Sequence, residues 1–139
     1  MKIAPRDIID YWYSDRIRAC WFSSTPELDR EIYNQFAQIW RDASEGRLDG
    51  WCDTPEGCLA LVILLDQFPR NMFRGKAKSF STGTQAIAIV RLAIKRGFDK
   101  KIDAEQLSFL YLPFMHSENE ADKLWVINID HTTYKEGNY

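Results

Sequence analysis

Residues 58–65, Cys58-Leu59-Ala60-Leu61-Val62-Ile63-Leu64-Leu65, carry no polar side chain, and no other stretch limits the fold so strongly. A helix through them has no face to offer water, so other elements must cover it on every side. The β-branched pair Val62 and Ile63 would also suit a buried strand. Thr54-Pro55-Glu56 decides for a helix, because it supplies a cap, a proline suited to the first helical position and an acid at the positive helix end. The apolar run is well short of the ~18 residues that cross a bilayer.

Covering helices can be read on both sides. Pro5 followed by Ile8, Ile9, Trp12 and Tyr13 predicts a helix over about residues 5–13, and residues 14–24 read as a loop anchored by Trp21 and Phe22. Thr25-Pro26-Glu27 repeats the capped start, and Leu28, Ile32, Phe36, Ile39 and Trp40 mark one face of a helix that Gly46 ends. Ile87, Val90 and Ile94 predict another over about residues 84–96, closed by Gly97 and Phe98, after a connector over residues 76–83. Asp103 with Gln106 resembles a capping box before Leu107, Leu110 and Tyr111, with Pro113 closing that helix. Ser117 with Glu120 is a second such match, before Ala121, Leu124 and Trp125. Nothing requires a strand. The two Thr-Pro-Glu starts suggest antiparallel helical hairpins, in a bundle or a short superhelix. Residues 1–129 read as a single helical domain, and residues 130–139 as a loose polar tail.

The chain has 139 residues and a formal net charge of -2, which gives no long-range attraction to nucleic acid or an anionic membrane. Lys2, Pro5 and Arg6 precede any apolar run, so a secretory signal is not expected and a cytoplasmic location is. Cys20, Cys52 and Cys58 lack metal-ligand or CxxC spacing and read as buried thiols, so no metal or cofactor is expected. The five Trp read as core.

Two polar corners stand out from this helical background. In Leu64-Leu65-Asp66-Gln67-Phe68-Pro69-Arg70-Asn71-Met72-Phe73-Arg74-Gly75, the proline demands a break after Phe68 and a restart, with Gly75 as a left-handed stop. Arg70 and Arg74 lie four apart, so on a helical turn both guanidiniums would emerge on one side and could grip a carboxylate or phosphate. The structural alternative is neutralisation by Asp66 or Glu118, with Gln67 and Asn71 satisfying backbone groups at the junction. The second corner is Leu112-Pro113-Phe114-Met115-His116-Ser117-Glu118, where His116 precedes a helix start whose positive end favours a neutral imidazole. His116, Ser117 and Glu118 are not a triad by adjacency, and no nucleophile elbow, phosphate loop or dinucleotide fingerprint occurs. No residue is assigned a catalytic role.

With Trp21-Phe22, Leu48-Asp49-Gly50-Trp51 and Thr54-Pro55, these two corners resemble the bacterial family known as domain of unknown function 924, over about residues 8–122. The resemblance implies an all-helical fold similar to tetratricopeptide-repeat proteins, an unassigned activity and no catalytic residues to carry over. Against the family pattern, Gly83 stands where an aspartate usually caps the next helix, and the sequence departs after Asp122, where members continue through further helices. That departure predicts exposed apolar surface and self-association through a shortened end. Two functions follow as expectations: a helical module that binds a protein, or a small-molecule site or enzyme for an anion held by Asp66, Gln67, Arg70, Asn71, Arg74, His116, Ser117 and Glu118.

Overall fold

The structure, a computed structural model, describes residues 2–116. It is all-α: among these residues there is no strand, and helices surround the apolar run as its composition demands. The helices are α1 (Pro5–Trp12), α2 (Asp15–Arg18), α3 (Pro26–Ser44), α4 (Pro55–Val62), α5 (Phe68–Met72), α6 (Gly83–Lys95) and α7 (Ala104–Met115). Single-turn 3-10 segments occupy Asp49–Asp53, Ala77–Phe80 and Phe98–Lys101. No described helix is long and apolar enough to cross a membrane.

α4 is the axis of the bundle, touched by α1, α6 and α7, while α3 packs on α5. Every side chain of residues 58–65 is at most 1% exposed. Burying each large apolar side chain there contributes roughly 1.5–3 kcal/mol. Thr25 and Thr54 cap α3 and α4 by accepting from the N–H groups of Leu28 and Gly57. Asp103 caps α7 through Gln106 in the same way. Gly75 and Gly97 take the left-handed backbone that helix endings favour, with φ of 82° and 73°.

Three expectations fail for local reasons. Residues 14–24 contain α2, started by Ser14 accepting from the N–H of Ile17. Of the two aromatics meant to anchor that segment, Trp21 stacks on Trp12 and meets Phe109 edge-on, but Phe22 is 94% exposed. Pro113 does not close α7, which runs on to Met115; proline forfeits a bond to the residue four places back but does not stop the turn after it. The capping-box helix from Ser117, Trp125 and the tail over residues 130–139 lie outside the described residues.

Candidate functional site

Pro69 does not break the chain after Phe68. In an unbroken α-helix the Leu65 carbonyl would accept from the N–H of residue 69, and proline has none. The helix widens instead: over Ile63–Gln67 it becomes a π turn, with the N–H of Phe68 bonded to the Ile63 carbonyl five residues back. Such a turn relieves the clash between a proline ring and the carbonyl it would otherwise strike. Pro69 then sits in the first turn of α5.

The second answer to the missing donor comes from another part of the chain. Thr82 Oγ1 donates to the Leu65 carbonyl at 2.6 Å and accepts from Trp40 Nε1 at 3.3 Å. Thr82 is the residue before α6, where a threonine would normally cap the helix, yet its hydroxyl makes no cap bond. The first backbone bond of α6 runs from the N–H of Ala86 to the Thr82 carbonyl, so the first-turn N–H groups precede it. Gly83 and Thr84, in that uncapped turn, form part of the wall of a cleft of about 470 Å3.

Across the cleft, Asp66 and Arg70 of the first polar corner meet His116 of the second. Arg70 Nε donates to the Asp66 carbonyl at 3.1 Å, and Arg70 Nη2 lies 2.8 Å from His116 Nδ1. A guanidinium only donates, so in this contact with Arg70 the Nδ1 atom is the acceptor. The Asp66 carboxylate, 4% exposed, lies behind them: Oδ1 is 3.9 Å from Arg70 Nη2 and 3.4 Å from His116 Nδ1, and Oδ2 accepts from Gln67 Nε2 at 2.7 Å. The guanidinium carbon lies 5.1 Å from the centre of the Phe80 ring, itself part of the cleft wall. Arg70 Nη1 makes no hydrogen bond among the described residues and remains available to a ligand. Arg91, whose guanidinium carbon lies 5.9 Å from the Phe114 ring, adds a second cation, and Ile87 and Pro113 add apolar wall.

Arg74 and Asn71 do not join this group. Both turn towards the first turn of α3, where Arg74 Nε and Nη2 reach the two oxygens of Asp29 at 2.7 and 3.3 Å. Asn71 Nδ2 donates to Asp29 Oδ1 at 2.9 Å and to Ser24 Oγ at 3.1 Å, and Ser24 Oγ donates to the same carboxylate at 2.8 Å. Burial pushes the Asp29 carboxyl up, but the bonds from Arg74, Asn71 and Ser24 outweigh it and hold the group below the ordinary aspartate range. The expected neutralisation by Asp66 therefore holds for Arg70, whereas Arg74 has Asp29, which sequence reasoning did not single out. Ser117 and Glu118 lie outside the described residues. So does the helix whose positive end was to keep His116 neutral; His116 follows the C-terminal end of α7, and Arg70 sets its hydrogen-bonding role.

Sequence reading also missed Phe80, Thr84 and Arg91. Gly83 drew notice as a lost cap, but the cap position belongs to Thr82, and that end of α6 is uncapped because the Thr82 hydroxyl is bonded to Leu65 instead.

The family model described as "Bacterial protein of unknown function (DUF924)" matches residues 8–137. The chain belongs to this family. The match continues past Asp122, so the expected departure of the sequence from the family there is absent. A solved structure of a protein of unknown function from Agrobacterium tumefaciens is 34% identical to this chain, covers 92% of it and 72% of the other, and has a TM-score of 0.86. A search of the curated proteins finds no match.

Proposed function

We propose that this DUF924 protein binds a small anionic molecule in the cleft between Arg70 and the start of α6. One observation carries the reading: the guanidinium of Arg70 and the uncapped first turn of α6 border the same hollow. A helix N-terminus and an arginine with open N–H groups both favour a carboxylate or phosphate. With Nδ1 turned to Arg70, the Nε2–H of His116 supplies a further donor at a lining residue, and Phe80, Ile87 and Pro113 suit an apolar body attached to the anion. Asp66 balances part of this positive charge from behind and fixes the arginine in place.

Titration with inorganic phosphate and with succinate, followed by calorimetry and melting temperature, tests the reading. Saturable binding that raises the melting temperature is expected. Thr84→Glu places a carboxylate at the helix start, where it suits the helix but repels an anion, so it should abolish binding while preserving stability. Failure of both probes to bind, or equal binding by Thr84→Glu, sinks the idea.

A protein-interaction role is favoured by a different observation, the 94% exposure of Phe22. A reproducible partner captured by the wild type and lost with Phe22→Ser would support it; capture unaffected by that change would count against it.

A further inference from the structure

A separate hollow of about 310 Å3 lies between the Asp49–Asp53 turn and α6, with Cys52, Leu92 and Arg96 in its wall. Cys52 is 7% exposed there, and Cys58, in the first turns of α4, is fully buried behind it. The two are held together by a tight approach of backbone to backbone. A Cβ on Gly57 would fall 1.8 Å from the Trp51 carbonyl oxygen, so only glycine lets the start of α4 lie so close to the preceding turn. As a result Cys58 Sγ stands 3.5 Å from the carbonyl oxygen of Cys52, which brings the two cysteines side by side. Arg96 Nη1 donates to the same carbonyl at 2.7 Å, which keeps a permanent cation beside Cys52.

We propose that Cys52 and Cys58 form a redox-active pair that a small hydroperoxide converts into an intramolecular disulfide. In the first step the Cys52 thiolate attacks one oxygen of the peroxide; the S–O bond forms as the O–O bond breaks, and the departing oxygen takes up a proton and leaves as water or an alcohol. The Cys58 thiol then attacks the resulting sulfenic sulfur, forming the S–S bond and releasing water. Two thiols are thereby oxidised by two electrons and the peroxide bond is reduced by two.

The roles of the two sulfurs follow from their positions. Cys52 borders the hollow, so it meets the oxidant, while Cys58 has no exposed surface and can act only through its neighbour. The hydrogen bond from Cys58 draws the Cys52 thiol below its ordinary value against the effect of burial, and the same bond, with burial, pushes Cys58 up. With only 7% of Cys52 exposed, hydrogen peroxide reaches its sulfur more readily than a bulky oxidant. The disulfide would lock the Asp49–Asp53 turn to α4, at a site whose residues are distinct from those of the Arg70 cleft.

Hydrogen peroxide treatment of Cys20→Ser protein, with acid quench, alkylation and peptide mass mapping, tests this directly. The expected product has lost two hydrogens, carries a link between residues 52 and 58, and is restored by dithiothreitol. In the Cys20→Ser, Cys58→Ser protein, dimedone should trap a sulfenic acid at Cys52; in the Cys20→Ser, Cys52→Ser protein, Cys58 should stay unlabelled. Recovery of both thiols unchanged, oxidation of Cys52 without a link, or labelling of Cys58 in the absence of Cys52 would each overturn the proposal. Should either double variant fold poorly, the link found or missing in Cys20→Ser protein decides alone.

Discussion

Arg70 and His116, 46 residues apart in sequence, meet at 2.8 Å through Nη2 and Nδ1. The contact makes the histidine an acceptor at Nδ1. Two-dimensional NMR of the imidazole nitrogens near neutral pH should therefore show the hydrogen on Nε2; a hydrogen on Nδ1 would mean that the arginine does not hold the ring. Arg70→Lys keeps the charge but cannot reach the Asp66 carbonyl and His116 together, and should cost about 1–3 kcal/mol in chemical denaturation.

The bond from Thr82 to the Leu65 carbonyl can be removed without changing shape. Thr82→Val leaves that buried carbonyl and Trp40 Nε1 without the hydroxyl they share, and should destabilise the fold by about 1–3 kcal/mol. Thr82→Ser keeps the hydroxyl and should lose far less. Equal losses in urea unfolding for the two variants would show that the methyl group, and not the hydroxyl, matters.

The Asp29 cluster predicts a pH dependence. Its carboxyl binds a proton less tightly in the folded protein than in the unfolded chain. The associated stability is complete above the unfolded value of ~3.9 and is lost as pH falls through the lower folded value. Because the Arg74 side chain is 57% exposed, solvent screens the pair and the contribution should be no more than about 1 kcal/mol. Melting curves of Asp29→Asn against wild type should differ at neutral pH and converge in acid.

Gly57→Ala should be the most damaging of the small substitutions considered. The added carbon would meet the Trp51 carbonyl at 1.8 Å, and that neighbour is backbone, which cannot rotate away. A loss of about 3 kcal/mol is expected in chemical denaturation. A near-neutral result would mean that the turn before α4 is more yielding than its packing suggests.

Much of the fold could be read along the chain because its signals are local. Thr25, Thr54 and Asp103 each cap the helix expected of them, and the run through residues 58–65 is enclosed as its lack of polarity requires. The meeting of Asp66, Arg70 and His116 was expected from the chemistry of the two corners and not from any periodicity. What escaped were relationships set by tertiary placement. Nothing four residues from Arg74 identifies Asp29 as its partner, and helical spacing alone put Arg70 and Arg74 to one purpose when each faces a different carboxylate. The π turn was hidden for a related reason: a proline announces a lost bond but does not say whether the chain will break or widen.

The hydroxyl of Thr82 can serve one helix start or one stranded carbonyl, and it serves the carbonyl. A shortage of one hydrogen at Pro69 is thus passed across the bundle and reappears as a surplus of donors at the opening of α6. The polarity of that hollow is written partly by an imino acid on a different helix, so changes at residue 69 would be felt as changes in what the far wall attracts.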